Sequence, residues 1–139
     1  MRKGWDEYFL DIAFQVAGRS TCNRRAVGAV VVKDRRIKGT GYNGAPHGLP
    51  HCLDVGCLME GEHCRRTIHA EINALLECSP EERAGATMYV TDYPCERCAL
   101  TIIQAGIKRL VYARPYPVAR DWLREAGIEI VHHPRQTEG

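Results

Sequence analysis

The chain has 139 residues, of which 45% are hydrophobic and 26% are charged, a composition typical of one globular domain. Its 19 basic and 17 acidic side chains leave a formal net charge of +2, which is too small to indicate a surface that coats nucleic acid. No apolar run approaches the roughly 20 residues that span a bilayer, and no signal peptide is recognisable. We therefore expect a single domain over residues 1–139, located in the cytoplasm, with neither a membrane nor a nucleic acid as partner.

The first half of the chain predicts a helix, a hairpin and a long loop. The helix is indicated by apolar residues at helical spacing, Trp5, Phe9, Ile12 and Val16. Gly18 is a plausible end for it. The valine-rich segment 26–32 predicts a buried strand, and 37–42 predicts a return strand. Residues 43–66 carry four glycines and two prolines, which predicts a loop of a length that is usually functional or disordered.

The second half of the chain alternates helices and strands. Helices are predicted over 69–77, 96–105 and 118–126, and strands over 87–91, 110–113 and 128–131. This alternation is typical of an α/β fold whose sheet has a parallel part and helices on both faces.

Seven cysteines are a high and odd count for so short a chain. Without a secretion signal, such a count favours metal binding by thiolates over a framework of disulfides. The spacing of the cysteines then indicates which of them share a metal.

Two short motifs predict a catalytic zinc site. Residues 69–71 read His-Ala-Glu, and residues 94–98 read Pro-Cys-Glu-Arg-Cys. His69, Cys95 and Cys98 supply three zinc ligands and leave the fourth tetrahedral position for water, as catalytic sites do. Both motifs lie where predicted helices begin, and the positive end of a helix favours the thiolate form of cysteine.

Glu71 is the predicted general acid and base. It follows His69 by two residues, so it can reach the water at the metal without binding the metal itself. The H-x-E…P-C-x-x-C arrangement is the signature of the zinc deaminases. The pair Cys95 and Cys98 alone would also fit a redox protein, which predicts dithiol titration and no bound metal.

Beyond this signature, four stretches resemble the deoxycytidylate deaminase family. They are Trp-Asp-Glu-Tyr-Phe at 5–9, Val-Gly-Ala-Val at 27–30, Gly-Tyr-Asn-Gly at 41–44, and the zinc motif with its continuation at 102–107. The resemblance runs from Trp5 to about Ile130 and is strongest to the bacterial competence-operon members. It implies a three-layer α/β/α fold with a five-stranded mixed sheet. It also implies hydrolysis of dCMP to dUMP and ammonia, which supplies dUMP for dTMP synthesis.

The same comparison weighs against related families. Free cytidine deaminases typically have cysteine where His69 stands, and tRNA adenosine deaminases typically have methionine where Arg97 stands. Riboflavin-pathway deaminases usually have a longer spacing between the two cysteines. Two alternatives stay open: a deaminase of another cytosine or adenine substrate, either a nucleoside or tRNA, and a non-catalytic accessory protein of competence or DNA uptake. The intact Glu71 argues against the second.

The resemblance also implies substrate contacts and regulation. Asn43 would hold the sugar hydroxyl or the base, Ala70 would offer its backbone N–H to the base, and Tyr116 would pack near the nucleotide. Members are usually homo-oligomers, often hexamers, and many are activated by dCTP and inhibited by dTTP. The phosphate of a nucleotide needs a basic anchor, for which the sequence offers four candidates without choosing among them. These are Arg24, Arg25, Arg65 and Arg66.

A second, structural zinc is predicted within the long loop. The 43–66 segment has too few apolar residues to order itself, and soft ligands could staple it. The resemblance implies ligands at Cys22 and Cys52. The remaining ligands come from Cys57, Cys64 and His63, and the alternative is a set of buried free thiols.

Overall fold

The computed structural model describes residues 2–22, 24–61 and 63–135. Its elements in chain order are α1 (Trp5–Ala17), β1 (Gly28–Lys33), β2 (Arg36–Tyr42), α2 (Cys52–Val55), β3 (Met59–Glu60), β4 (His63–Cys64), α3 (Ala70–Leu76), α4 (Pro80–Arg83), β5 (Thr87–Asp92), α5 (Glu96–Ala105), β6 (Arg109–Arg114), α6 (Trp122–Glu125) and β7 (Glu129–His132). None of the helices among the described residues combines the length and the apolar composition needed to cross a bilayer.

Five strands form a mixed sheet in the order β2-β1-β5-β6-β7. Strand β1 pairs antiparallel with both β2 and β5, whereas β5, β6 and β7 run parallel. The predicted five-stranded mixed sheet is therefore confirmed. Because parallel strands end at the same edge of a sheet, the carboxyl ends of β5 and β6 lie side by side, with Asp92 opposite Arg114.

Helices cover both faces of this sheet, as the alternation of elements predicts. Successive side chains of a strand point to opposite faces, and in β1 the members Val30 and Val32 pack with α1. Ala29 and Val31 pack instead in a second cluster with residues of α3, α5 and α6. The three layers therefore follow directly from strands that are apolar on both faces.

The structure shortens one predicted helix and adds one helix that was not predicted. The helix predicted over 118–126 is only Trp122–Glu125. Asp121 has non-helical backbone angles, and its carboxylate accepts a hydrogen bond from the backbone N–H of Arg124, so the helix begins after it. Helix α4 was not predicted, although Ser79 and Glu82 form a reciprocal capping box at its start.

The segment predicted as an uninterrupted loop, 43–66, contains the short helix α2 and the β3–β4 hairpin. Its two ends are joined by paired backbone hydrogen bonds between Gly44 and Ile68, of 3.2 Å and 2.9 Å. This bridge keeps the segment next to the start of α3, where the predicted metal ligands lie.

Candidate active site

Three candidate ligand atoms converge where two helices begin on the same face of the sheet. His69 immediately precedes α3, Cys95 immediately precedes α5, and Cys98 lies in the first turn of α5. The Nδ1 atom of His69 is 3.1 Å from the Sγ atom of Cys98 and 3.6 Å from that of Cys95. All three atoms lie within 4.8 Å of one another, so the ligands predicted from the sequence meet at one point.

This set of donors fits a zinc ion. A tetrahedral site with Zn–N bonds of about 2.0 Å and Zn–S bonds of about 2.3 Å separates its ligand atoms by roughly 3.5 to 3.8 Å. The distance of 3.6 Å between His69 and Cys95 falls in that range, and the 3.1 Å between His69 and Cys98 is slightly shorter. One nitrogen and two sulfur ligands leave a fourth position for water, as in catalytic zinc sites.

The protein itself prepares one of these cysteines as a thiolate. A hydrogen bond from the Cys98 thiol lowers the pKa of Cys95 to about 3, although burial opposes this shift. The same hydrogen bond, together with burial, raises the pKa of Cys98. The pKa of His69 is also raised, chiefly by its hydrogen bond with Cys95. A zinc ion that binds at this site would displace the protons that His69, Cys95 and Cys98 share.

Glu71 lies beside the ligands in the first turn of α3, and only 4% of the residue is exposed. Burial raises the pKa of Glu71 to about 7, and the hydrogen bond from its own backbone N–H opposes this shift only in part. The Glu71 carboxylate does not belong to the group of three ligand atoms. It is therefore placed to exchange protons in the pocket rather than to bind a metal.

A pocket opens over this group and brings together the predicted substrate residues. Its lining includes Asn43, Ala70, Glu71, Tyr116, His69 and Cys95. The sequence places these residues in four separate segments, and the fold collects them at one edge of the sheet.

Asn43 contacts the backbone of the loop that precedes β1. Its Oδ1 atom accepts a hydrogen bond of 2.9 Å from the N–H of Val27, and its Nδ2 atom donates one of 2.6 Å to the carbonyl of Arg25. The side chain therefore shapes the pocket wall, whatever further contact it makes with a substrate.

The other two predicted contacts, Ala70 and Tyr116, also line this pocket. Ala70 is completely buried and is the first residue of α3, so its backbone N–H has no acceptor within the helix. Tyr116 is half-buried, and the guanidinium of Arg25 lies 4.9 Å from the centre of its ring. Tyr116 is thus part of a built wall rather than a surface aromatic.

The structure places the four candidate arginines in different surroundings. Arg24 and Arg25 line the pocket over Glu71. Arg65 forms an exposed ion pair with Glu60, and Arg66 donates a hydrogen bond of 3.1 Å to the carbonyl of Gly56. Of the four, the first two are therefore in position to meet a substrate.

Asp92 is a buried pocket residue that sequence reasoning missed. It ends β5, is 4% exposed and lines the pocket beside Glu71. A charged residue at the end of an otherwise apolar strand, two positions before the Pro94-Cys95 motif, was the available signal. Its partners, Arg25 and Arg114, are distant along the chain, so the sequence did not indicate which side chains Asp92 contacts.

Four further cysteines gather next to the same pocket. The ligand atoms of Cys22, Cys52 and Cys57 lie within 4.8 Å of one another. The Sγ atoms of Cys52 and Cys64 are 3.5 Å apart, and those of Cys22 and Cys57 are 3.9 Å apart. The four cysteines predicted for a second metal thus come together, while the side chain of His63 lies outside the described residues.

The thiols of this cysteine cluster influence one another. Burial and hydrogen bonds with neighbouring thiols raise the pKa of Cys52 to about 12. Burial also acts to raise the pKa of Cys64, but hydrogen bonds from the backbone N–H groups of Arg66 and Leu58 outweigh it and lower that pKa to about 7. Several thiols this close cannot all ionise unless a cation compensates their charge.

Comparison with known proteins identifies relatives over most of the chain. Residues 3–114 match the model of the cytidine and deoxycytidylate deaminase zinc-binding region. The chain is 48% identical over 136 residues to ComE operon protein 2 of Bacillus subtilis, covering 93% of this chain and 71% of that protein. It is also 48% identical over 124 residues to the deoxycytidylate deaminase of Mycobacterium phage D29, covering 81% and 97%.

The fold is similar to that of a solved deaminase. A crystal structure of the dCMP deaminase from the cyanophage S-TIM5, in complex with dCMP and dUMP, aligns with a TM-score of 0.83 and 32% sequence identity. The alignment covers 96% of this chain and 99% of that chain.

Proposed function

The chain belongs to the cytidine and deoxycytidylate deaminase family, and from this premise we propose that it hydrolyses dCMP to dUMP and ammonia. The observation that carries the proposal is the convergence of Glu71 with His69, Cys95 and Cys98 in one pocket. The similarity to deoxycytidylate deaminases by sequence and by fold supports the choice of substrate.

The residues of the pocket have different roles in this reaction. His69, Cys95 and Cys98 would hold the zinc ion, which would act as a Lewis acid and lower the pKa of water toward about 7. Glu71 takes one proton from the attacking water and delivers it to N3 of the cytosine ring as the O–C4 bond forms. As the C4–N bond breaks, Glu71 takes the second proton from the C4 hydroxyl and delivers it to the departing amine. One water is consumed and one ammonia leaves, so the carboxylate ends each cycle in its starting state.

Substrate orientation is assigned to three further groups. Ala70 donates its backbone N–H to the base, Asn43 holds the sugar or base, and Tyr116 packs against the nucleotide. Their positions in the lining of the pocket support these roles.

Release of ammonia from a panel of substrates tests the reaction. Zinc-loaded protein is incubated with dCMP, CMP, deoxycytidine and dCTP, and Glu71→Ala serves as the control. We expect preferential release from dCMP that disappears in the variant. Silence with all four compounds, even when dCTP is added as activator, would move the assignment to a tRNA substrate or to a role without catalysis.

A second zinc held by Cys22, Cys52, Cys57 and Cys64 is part of the same proposal. The separations between their sulfur atoms of 3.5 Å and 3.9 Å are close to the roughly 3.8 Å of tetrahedral zinc thiolates. Metal analysis should find two zinc ions per chain in the wild-type protein and one in Cys57→Ser. Cys78→Ser is the matched control, because Cys78 is buried behind α3 and hydrogen-bonds the carbonyl of Ala74. One zinc in the wild-type protein would reject the second site.

The proposal also covers the oligomeric assembly and the regulation by nucleotides that the resemblance to the family implies. We expect a homo-oligomer, with a hexamer as the leading candidate, because the adjacent helices α3 and α5 leave Leu76 71% and Leu100 50% exposed. Light scattering after size exclusion measures the assembly.

Adding dCTP or dTTP to the dCMP assay tests activation and inhibition. Because five of the seven cysteines belong to groups that could hold a metal ion, we expect a reducing compartment, the cytoplasm.

A further inference from the structure

The β6–α6 segment, residues 115–121, forms part of the pocket wall without any regular structure of its own. It carries Tyr116, which lines the pocket, and it lies between the end of β6 and the start of α6. Within the described part of the chain, residues 115–120 make no backbone–backbone hydrogen bond. The side chains of Tyr116 and Val118 pack against the core, so the place of the segment depends on these two contacts and on how its ends are held.

A single residue, Tyr93, contacts both ends of the β6–α6 segment. Its backbone N–H donates a hydrogen bond of 2.9 Å to the carbonyl of Arg114, the residue before the segment. Its hydroxyl donates one of 2.5 Å to the Oδ1 atom of Asp121, the last residue of the segment. The same carboxylate accepts a hydrogen bond from the backbone N–H of Arg124, so the contact also includes the first turn of α6. Both ends of the segment are thus attached to one residue that follows β5.

The side chain of Tyr93 is itself held firmly. The residue is buried, and its ring packs edge-on against the ring of Tyr112 in β6, with ring centres 4.8 Å apart. Burial raises the pKa of Tyr93, and the hydrogen bond with Asp121 adds to the shift, so the hydroxyl stays protonated and acts as the donor. A hydrogen bond to a carboxylate is stronger than one between neutral groups, and burial strengthens it further.

We propose that Tyr93 is a positioning residue that fixes the β6–α6 segment at both ends, so that Tyr116 is in place before the nucleotide binds. The inference rests on the proposed function, in which Tyr116 packs against the nucleotide. Tyr93 also lines the pocket and directly precedes the Pro94-Cys95 motif, so the wall of the pocket and the metal site share one support. A wall that is fixed in advance loses less conformational entropy when a ligand binds, and this favours affinity.

Limited proteolysis of zinc-loaded protein measures the attachment of the segment without any turnover. Arg120 is the one trypsin site within 115–121, and cleavage after it follows the population in which the segment has opened. Tyr93→Phe keeps the ring and the backbone N–H and removes only the hydroxyl, so this cleavage should become about tenfold faster. Tyr89→Phe is the matched control. It removes a hydroxyl that donates a hydrogen bond of 2.8 Å to Asp6, where Tyr89 packs with α1, and should leave the cleavage unchanged.

Ligand affinity separates positioning from a merely structural role. Tyr93→Phe should raise the calorimetric Kd for dUMP and the KM for dCMP about tenfold, with a much smaller change in kcat. Asp121→Asn keeps an acceptor oxygen for the hydroxyl and should stay close to wild type. Asp121→Ala should match Tyr93→Phe, and the double variant should lose no more than either single variant, because both remove the same hydrogen bond.

Three results would overturn the inference. The first is wild-type cleavage after Arg120 in Tyr93→Phe. The second is a fall in kcat at unchanged KM, which would place the effect at Cys95, and the third is an equal rise in Kd for Tyr89→Phe, which would reflect lost stability alone. If Tyr93→Phe does not fold, as circular dichroism would show, Asp121→Ala decides by the same measurements. Absence of ammonia release by the wild-type protein would remove the proposed function, whereas the cleavage rates and the Kd for dUMP test the role of Tyr93 without turnover.

Discussion

At the scale of single residues, the environment of Glu71 decides what its carboxylate can do. The residue is 4% exposed, and burial raises its pKa to about 7, far from the ordinary value for glutamate. A carboxyl group in this state can accept and release a proton near neutral pH, as a general acid and base must. The same side chain on a solvated helix face would stay ionised.

Replacing Glu71 by glutamine should abolish most turnover while leaving the metal bound. The amide preserves the size of the side chain but cannot carry a proton, so we expect kcat for dCMP to fall by about 10²- to 10⁴-fold. Steady-state kinetics measures the loss, and metal analysis serves as the control, because Glu71 is not one of the three grouped ligand atoms. Full activity in this variant would show that another group transfers the proton.

At the scale of secondary-structure elements, close packing of β2 against α3 positions Glu71 and the candidate metal ligand His69. A Cβ atom added at Gly41 would overlap the backbone of Ala70 and Ala74 in α3. The helix can therefore approach the sheet only because this position has no side chain. His69 and Glu71 are at the start of the same helix, so its position sets the geometry of the site.

The substitution Gly41→Ala should therefore damage both stability and catalysis. Overpacking of this kind costs about 1–3 kcal/mol of unfolding free energy, and the shift of α3 should also reduce kcat. Denaturant unfolding and dCMP kinetics measure the two effects. Gly4→Ala is the control, since an added Cβ there meets nothing within 4 Å. Wild-type values for Gly41→Ala would mean that α3 can move without consequence for the site.

The loop segment 43–66 has little regular structure of its own. Among its described residues, 43–61 and 63–66, there are four residues of helix and two strands of two residues each. Such short elements cannot hold themselves in place. The cluster of Cys22, Cys52, Cys57 and Cys64 instead gives the segment a common point of attachment.

Removal of metal should therefore expose this segment to proteases. Treatment with a chelator is expected to speed cleavage by trypsin after Arg65 and Arg66, because the segment loses its staple. Mass spectrometry of the fragments identifies the sites, and restoring zinc should reverse the effect. Cleavage that is equally fast with and without metal would argue that the cluster is a set of packed free thiols.

At the scale of the whole molecule, one contact ties the first helix to the middle of the sheet. Arg109 in β6 donates hydrogen bonds of 2.9 Å and 2.7 Å to the two carboxylate oxygens of Asp6 in α1, and Tyr89 in β5 adds one of 2.8 Å. The hydrogen bonds from Arg109 are the main reason that the pKa of Asp6 is lowered. The contact joins residues 103 positions apart in the chain.

The stabilisation from this contact should depend on pH. A lowered pKa in the folded state means that Asp6 contributes stability above its unfolded pKa of about 3.9, and that this contribution is lost as the pH falls through the lower folded value. We expect Asp6→Asn to lower the thermal midpoint at pH 7, and the difference from wild type to narrow below about pH 4. Asp34→Asn, in an exposed turn, is the control. A difference that stays constant across this range would show that the charge of Asp6 contributes nothing.

The sequence by itself predicted the five strands of the main sheet, the helices α1, α3 and α5, and a zinc-binding deaminase. The strands and helices follow from local periodicity, whereas the zinc motifs and the expectation for Glu71 follow from spacing and from a resemblance that covers most of the chain. These features can be predicted from the sequence because each depends on residues that are neighbours along the chain or recur in a fixed pattern.

The tertiary structure decided which distant residues meet. Asp92 has no informative neighbour in sequence, and it meets Arg25 and Arg114 only because the carboxyl ends of β5 and β6 lie side by side, next to the loop that carries Arg25. Likewise, Arg24 and Arg25 line the pocket over Glu71 and Arg65 and Arg66 do not, which depends on where the chain folds back on itself. Burial and long-range contact depend on the whole packed molecule, and no local pattern encodes them.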